Sequence, residues 1–217
     1  MGSRAFVDLS PDLRQQALRH TITTVDAIIV THGHADHCHG IDDTRTFNYH
    51  RNAAIPLYAD RQTLDRLKTG FSYVFTPHEK GKPWYKPELV PTEIDSTSYA
   101  TFTPAPHVDI KPFLQWHGKM KNIGLKLDRF AYSTDVNNLP EESLQLLENI
   151  DVWIVDCLRY TPAPSHAHLE MTLGWIERVK PKRAILTHMN HDMDYDYLIK
   201  SLPTSVEPAY DGMVIEI

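Results

Sequence analysis

The residues with the clearest chemical meaning lie at positions 31–40, THGHADHCHG, directly after the apolar run AIIV. Residues two apart in an extended loop project to the same side, so His32, His34 and Asp36 can converge on one point while His37 turns to the other side. Neutral imidazole binds zinc and other first-row metals, and a carboxylate extends the choice to manganese or iron. The spacing predicts ligands for two metals, against the alternative of a polar loop with satisfied histidines.

The two cysteines of the chain, Cys38 and Cys157, match neither a disulfide framework nor a paired-cysteine metal motif. We expect free thiols and a reducing compartment. Cys38 and its neighbour His39 fall outside the ligand pattern, and we expect both to be structural.

The elements that must position this loop follow from short strand-like runs that alternate with helical patterns. The strand-like runs are RAFVDL, DAIIV, IPLYA, NIGLKL, FAYST, DVWIVDC and KRAILTH. The helical patterns are SPDLRQQAL, DRQTLDRLK, PEESLQLLENI and HLEMTLGWIERV. The first of these predicts a helix capped by Ser10 with Pro11 at its first position. The alternation indicates a layered α/β fold, which we expect to be one domain over residues 1–217.

The histidine loop follows the predicted strand DAIIV, at the rim of a sheet where α/β proteins often carry out their chemistry. The Pro-rich segment 76–91 interrupts the alternation, and its length is typical either of a lid over a site or of a passive surface loop.

Composition limits the partners. The chain has 22 Lys and Arg against 28 Asp and Glu, without a dense basic cluster, so we do not expect long nucleic acids to bind. It has no apolar run of the roughly 20 residues that a membrane span requires, and no apolar stretch like that of a signal peptide at its start. We therefore expect a cytoplasmic protein without a membrane partner.

The sequence HGHADH after a strand resembles the metal-binding signature of metallo-β-lactamase-fold hydrolases. This resemblance implies an α/β fold, the αβ/βα four-layer sandwich, and a site for two divalent ions, Zn²⁺ or Mn²⁺. It also implies a further histidine, a bridging aspartate and a last histidine, each in a loop after a strand. FLQWHG offers His117, FAYSTD offers Asp135 and AILTHMNH offers His188. His107 in APHVD competes for the first of these roles, but only His117 is followed by glycine and then IGLKL.

A closer resemblance, through GIDDTR, VDLSPDLRQQ and LTHMNHDMDY, is to the phosphoribosyl 1,2-cyclic phosphate phosphodiesterase subgroup. It implies a catalytic acid in the loop before the penultimate helix, where PAPSHAHLEM places His166, with His168 as a possible substitute. Asp36 is the other expected catalytic residue. Asp8, at the end of its strand, could hold a ligating imidazole by a hydrogen bond. Arg159 could contact phosphate or be solvated.

The expected site has two ions that share a hydroxide, which attacks the phosphodiester while His166 protonates the departing oxygen. The resemblance assigns one ion to His32, His34 and His117, the other to Asp36, His37 and His188, and a bridging role to Asp135.

The start of the chain, MGSRAFVDLSPD, departs from the family pattern, which begins with a glycine-rich strand and a cysteine-bearing loop. We therefore expect the usual N-terminal strands to be missing. Some members hold a structural zinc with those cysteines and a histidine that corresponds to His191, which we expect to be an ordinary polar residue here.

These features predict a hydrolase that cleaves a small phosphodiester, most simply a cyclic ribose phosphate or a nucleotide-like molecule. The alternatives are a tRNA 3′-processing-type endonuclease, a lactone or ester hydrolase of the same fold, and a non-catalytic metal-binding protein. A homodimer is left open by the sequence.

Overall fold

The computed structural model describes residues 2–79 and 81–217, and its internal contacts divide the chain into two compact units. Unit 1 runs to Asp95 and includes Phe102–Asp109, and unit 2 comprises Ser96–Thr101 and Ile110–Ile217. The expectation of a single domain stays a prediction.

Unit 1 contains a four-stranded parallel sheet in the order β1-β2-β3-β4. Its strands are β1 (Ala5–Val7), β2 (Ala27–Ile29), β3 (Ile55–Ala59) and β4 (Leu89–Glu93). Its helices are α1 (Leu13–Arg19), α2 (Ala35–Cys38), α3 (Arg45–Arg51) and α4 (Arg61–Gly70), with 3₁₀ turns at Ile41–Thr44 and Ser72–Phe75. All three residues of β2 are buried, as expected for a parallel strand covered on both faces.

The chain passes through β5 (Phe102–Ala105) and a turn at Pro106 and His107 into the strands that continue in unit 2. These are β6 (Val108–His117), β7 (Met120–Leu127), β8 (Phe130–Ser133), β9 (Val152–Asp156), β10 (Arg183–Thr187) and β11 (Val206–Pro208). Their order is β11-β10-β9-β8-β7-β6. Strands β8 to β11 are parallel, whereas β7 is antiparallel to both β6 and β8. The helices are α5 (Glu141–Leu147), α6 (Leu169–Val179) and α7 (Tyr195–Ser201).

Each unit has its own apolar core. In unit 1, Leu9, Ile28 and Leu57 are among the fully buried side chains. In unit 2, the fully buried side chains include Phe113 and Trp153. Burying large apolar side chains is the main favourable contribution to folding. Each sheet contributes buried side chains to the core of its own unit, and the loops that carry the polar residues begin where its strands end.

The strands and helices that the sequence pattern predicts are all present, with ends that differ by a few residues. Two local expectations are wrong. Helix α1 begins at Leu13 with Asp12 as its cap, and Ser10 and Pro11 lie before it, because the Ser10 hydroxyl donates to Asp12 Oδ1 rather than accepting a helical N–H. The histidine loop is extended only as far as His34, since α2 follows immediately.

Segment 76–91 ends in the first residues of β4, and its residue Lys80 lies outside the described part of the chain. Asn48 of α3 donates to the carbonyl of Glu88, which fixes the end of the segment. The choice between a lid and a surface loop stays open. Among the residues described, no helix has both the length and the apolar composition needed to cross a membrane.

Gly40 permits a close backbone approach that positions the histidine loop in unit 1. Its N–H donates to Leu9 O at 2.9 Å, and Leu9 N–H donates to His37 O at 2.8 Å. A Cβ at position 40 would lie 2.1 Å from the carbonyl oxygen of Ser10, a backbone atom that cannot rotate away. The segment after β1 can therefore lie against α2 only because residue 40 has no side chain.

We expect Gly40→Ala to lower the free energy of unfolding by about 1–3 kcal/mol, the usual cost of overpacking. The control is Gly70→Ala in the same unit, where an added Cβ meets nothing within 4 Å. This control should leave the stability unchanged or raise it by up to roughly 1 kcal/mol. Urea unfolding followed by circular dichroism measures both, and equal midpoints for the two variants would contradict the argument.

Candidate metal-binding clusters

Asp8 connects β1 to the histidine loop in unit 1. Because β1 and β2 are parallel neighbours, the residues that follow them meet at one edge of the sheet. Asp8 Oδ1 accepts the Thr31 N–H at 2.8 Å, and Asp8 Oδ2 lies 2.7 Å from His37 Nδ1. Burial raises the pKa of Asp8, and the hydrogen bonds from His37 and Thr31 act in the opposite direction. With its Nδ1 proton donated to Asp8, His37 presents Nε2 as a ligand atom.

The four expected ligands of unit 1 are arranged as two pairs. His32 Nε2 lies 3.0 Å from His34 Nδ1, and His37 Nε2 lies 3.2 Å from Asp36 Oδ2. The Thr31 hydroxyl is 3.2 Å from the other ring nitrogen of His32, which leaves Nε2 directed at His34. Side-chain exposure is 58% for Asp36 but 7% for His37, so solvent reaches the carboxylate of this pair. Nitrogen and carboxylate donors at these separations suit a divalent first-row metal.

The two residues of this loop that we expected to be structural have local contacts. The Cys38 thiol donates to His34 O at 3.0 Å, and His39 packs edge-to-face on Phe71 with ring centroids 5.5 Å apart. Cys38 and Cys157 are both free and buried. Burial raises the pKa of Cys38 to about 11 and that of Cys157 to about 12, so both sulfurs stay protonated thiols near neutral pH.

Unit 2 gathers a second set of histidines and carboxylates around Asp135. Strands β8, β9 and β10 are parallel, so Asp135, Asp156 and His188 leave the sheet at the same edge. His188 Nε2 lies 3.1 Å from Asp135 Oδ1, and the Nε2 atoms of His117 and His166 each lie 3.9 Å from Asp135 Oδ2. Three imidazoles therefore surround one buried carboxylate, a donor set that fits a metal site.

The orientation of His117 is fixed by the loop that carries His166. His117 Nδ1 lies 2.7 Å from the carbonyl oxygen of Ser165. A carbonyl can only accept, so Nδ1 carries the proton and Nε2 is the atom available to a ligand.

Asp156 is a site residue that the sequence analysis missed. It is fully buried at the end of β9, and its Oδ2 accepts the Val136 N–H at 2.8 Å and lies 3.1 Å from His166 Nδ1. Its other oxygen, Oδ1, is buried and has no hydrogen-bond partner among the residues described. Burial raises the pKa of Asp156, and the hydrogen bond from His166 opposes this effect. The signal available in the sequence is the acidic residue that ends the apolar run of DVWIVDC.

The His166 ring is enclosed by the other site histidines. It stacks on His188 at a centroid distance of 4.9 Å and meets His117 edge-on at 4.5 Å. Asp156, His166 and His188 can place one ligand atom each within 4.8 Å of one another, so this group could also hold a metal ion. The 3.1 Å contact to Asp156 takes up Nδ1 of His166, so Nε2 is the ring atom on the side of Asp135.

The remaining candidates have other surroundings. His107 is exposed in the turn after β5, and His168 is the residue before α6. The Arg159 guanidinium donates to the carbonyls of Thr161 and Pro162 in its own loop. The side chain of His191 is 91% exposed, and its Nε2 lies 3.4 Å from Asp192. The assignments of ligands and catalytic residues stay predictions.

Comparison with known proteins places this architecture in a family. The model of the β-lactamase superfamily domain matches residues 3–189. A crystal structure of a new diphosphatase from the PhnP family is 30% identical with a TM-score of 0.88, over 98% of this chain and 79% of that one. The metallo-β-lactamase-fold protein YhfI from Bacillus subtilis is 17% identical with a TM-score of 0.76, over 96% of this chain and 85% of its own.

A curated relative, the octanoyltransferase of Porphyromonas gingivalis (strain ATCC BAA-308 / W83), is 30% identical over 215 residues. The match covers 98% of this chain but only 42% of the relative's length. The α/β fold with two sheets and the family resemblance are confirmed by the model match and by the solved structures. The chain belongs to the β-lactamase superfamily domain family, and its histidine and aspartate clusters could bind metal.

Proposed function

We propose that this chain is a dinuclear metal-dependent phosphodiesterase that hydrolyses a small phosphodiester, such as a cyclic ribose phosphate or a nucleotide-like molecule. The observation that carries the proposal is His166, whose ring is fixed by the buried Asp156 at 3.1 Å and lies beside Asp135. Such an arrangement suits a proton donor to a departing oxygen. The sequence resemblance to the cyclic phosphodiesterase subgroup and the identity of 30% to a PhnP-family diphosphatase support the same class.

In this proposal the ligands of both clusters hold two divalent ions, Zn²⁺ or Mn²⁺. His32, His34 and His117 would hold one ion, Asp36, His37 and His188 would hold the other, and Asp135 would serve both. When bound, the ions would supply Lewis-acid activation of water and of the phosphoryl oxygens, and would attract an anionic substrate to an acidic protein.

The chain's own residues orient these ligands and move the protons. Asp8 holds His37 through Nδ1, and the Ser165 carbonyl does the same for His117, so each ring directs Nε2 outward. Asp36, with a largely exposed carboxylate, can accept a proton from the attacking water. His166 donates its Nε2 proton to the departing sugar oxygen and keeps its Nδ1 proton in the hydrogen bond to Asp156.

The alternatives are weaker for physical reasons. The net charge of −6 disfavours a long polyanion such as tRNA, although metals alone do not select phosphorus over the carbonyl carbon of a lactone or ester. A thioester mechanism of acyl transfer is disfavoured as well. Its nucleophile would have to be Cys38 or Cys157, and burial keeps both protonated, with a raised pKa of about 11 and about 12.

Metal content tests the dinuclear assignment. We expect fully loaded protein to hold two ions per chain, and Asp135→Ala to lose at least one of them together with turnover, because the bridging carboxylate is removed. Asp196→Ala, an exposed position on α7, is the control and should retain both ions. Elemental analysis measures the metal content of each variant, and phosphodiesterase assays measure its turnover. At most one ion in the parent protein, or unchanged metal content and turnover in Asp135→Ala, would contradict the dinuclear assignment.

Substrates with different leaving groups test the role of His166 as the general acid. His166→Ala should keep both ions and lower kcat by about 10²–10⁴ for substrates with poor alkoxide leaving groups, the usual scale of general acid catalysis. The loss should be much smaller for nitrophenyl esters, whose leaving group needs no proton. Asp156→Asn should show the same pattern more weakly, since the amide oxygen can still accept from His166 while the charge is lost.

The control for this experiment is His191→Ala, which changes an exposed imidazole outside both clusters. It should leave both rates unchanged. If His166→Ala slows both classes of substrate equally, the histidine serves substrate binding rather than proton transfer.

Substrate class is tested by comparing a cyclic ribose phosphate with a tRNA precursor at matched metal and salt concentrations. We expect faster turnover of the cyclic phosphate, with a phosphomonoester as product, because ring opening leaves an alkoxide that needs the acid. A nucleoside monophosphate should inhibit as a product analogue. Faster cleavage of the tRNA, with a steep salt dependence from phosphate contacts, would favour the nuclease instead.

A further inference from the structure

We propose that Asn137 is a positioning residue that fixes residues 158–167, here called the acid loop, to the turn that follows His117 in unit 2. The inference deepens the proposed function and rests on it, because the acid role of His166 belongs to that proposal. Asn137 lies outside the ligand set and outside the subgroup motifs. Its contacts reach the segments that carry His117 and His166, and it lies two residues after Asp135.

The backbone around Asn137 is anchored to the end of β6. Asn137 N–H donates to Trp116 O at 2.8 Å, and Trp116 N–H donates to Asn138 O at 2.9 Å. These two bonds form an isolated antiparallel bridge between the segment after Asp135 and the residue before His117. The Cα of Asn137 is thereby held at a fixed place relative to both of these site residues.

The side chain of Asn137 then spans two loops with both ends of its amide. Its Oδ1 accepts the Gly118 N–H at 2.8 Å, and its Nδ2 donates to the Pro164 carbonyl at 2.9 Å. One partner can only donate and the other can only accept, so the orientation of the amide is determined by the network. A carboxylate of the same shape could accept from Gly118 but would face the Pro164 carbonyl with a second acceptor.

The side-chain hydrogen bonds of Asn137 lie where the acid loop contacts the turn that follows His117. Pro164 is followed by Ser165, whose carbonyl holds His117 Nδ1, and then by His166. The turn and the loop are in close contact, since a Cβ added at Gly118 would lie 3.4 Å from Ser165 Cβ. Breaking the bond to Pro164 would let the loop move, and His166 with it. A displacement of about 1 Å at a reacting group can lower the rate by about 10²-fold.

Neighbouring asparagines provide a matched test. Asn137→Asp removes the donor to Pro164, and Asn138→Asp adds the same negative charge one residue away, on an exposed side chain. In the metal-loaded full chain, we expect Asn137→Asp to lower kcat for a poor alkoxide leaving group by roughly 10- to 100-fold. Turnover of a nitrophenyl ester should fall by less than about 3-fold, and Asn138→Asp should change either rate by less than about 2-fold.

Hydrogen–deuterium exchange gives a readout that needs no substrate. Amides of the acid loop and of the turn after His117 should exchange faster in Asn137→Asp than in Asn138→Asp. Only the first variant loses the side-chain hydrogen bond to the Pro164 carbonyl. Asn137→Ala provides the same comparison if the aspartate variant does not fold, since alanine removes both bonds without adding charge.

The outcomes separate this inference from the proposed function. Unchanged exchange in the acid loop, equal rate losses for both substrates, or the same effects in Asn138→Asp would each overturn the role of Asn137. If the parent protein hydrolyses no phosphodiester, the proposed function fails. Faster exchange of the acid loop in Asn137→Asp but not in Asn138→Asp would still support the role of Asn137 in fixing the loop.

Discussion

Both clusters depend on the same interaction, a buried carboxylate that holds an imidazole by its Nδ1 atom. Asp8 in unit 1 accepts a backbone N–H from Thr31 and faces His37, and Asp156 in unit 2 accepts one from Val136 and faces His166. Burying a carboxylate costs several kcal/mol unless hydrogen bonds compensate, so each aspartate requires its partners to stay in place. In return, each imidazole has one fixed ring orientation with Nε2 directed away from the carboxylate, as a metal ligand or a proton donor requires.

The backbone supplies a second constraint at the same places. Asp8, Asp135 and His188 all have left-handed conformations, with φ values of 63°, 51° and 60°, within two residues of a strand end. A non-glycine residue in this region costs of order 1–3 kcal/mol, and aspartate and histidine are among the residues that tolerate it best. The conformation of Asp135 is held by Asn122, which donates to its carbonyl oxygen at 2.9 Å. At these three positions the strained backbone lies where a site residue turns away from the sheet.

The sequence predicts well what depends on local pattern. Apolar runs such as those of β2 and β9 predict the strands, and the spacing of His32 and His34 predicts the pair whose nitrogens lie 3.0 Å apart. It predicts poorly what depends on contacts between distant segments. Ser10 looked like a helix cap, but its hydroxyl donates to Asp12, and the alternation that aimed Asp36 and His37 to opposite sides ends where α2 begins.

Asp156 and Asn137 show why part of the site is hidden from sequence reasoning. The partners of Asp156 are Val136 and His166, 20 and 10 residues away, and those of Asn137 are Gly118 and Pro164, 19 and 27 residues away. Neither residue lies in a spacing pattern, because its role comes from the meeting of loops after different strands.

These contacts also explain how a loop without regular structure can hold a catalytic group accurately. In unit 2, Asp156 ties His166 to the residue after Asp135, while the carbonyl of Ser165 holds the ring of His117. The acid loop is therefore tied to the rest of unit 2 at two successive residues, Ser165 and His166. Because every displacement breaks more than one hydrogen bond, the accuracy of the site comes from this shared network more than from the stiffness of any single segment.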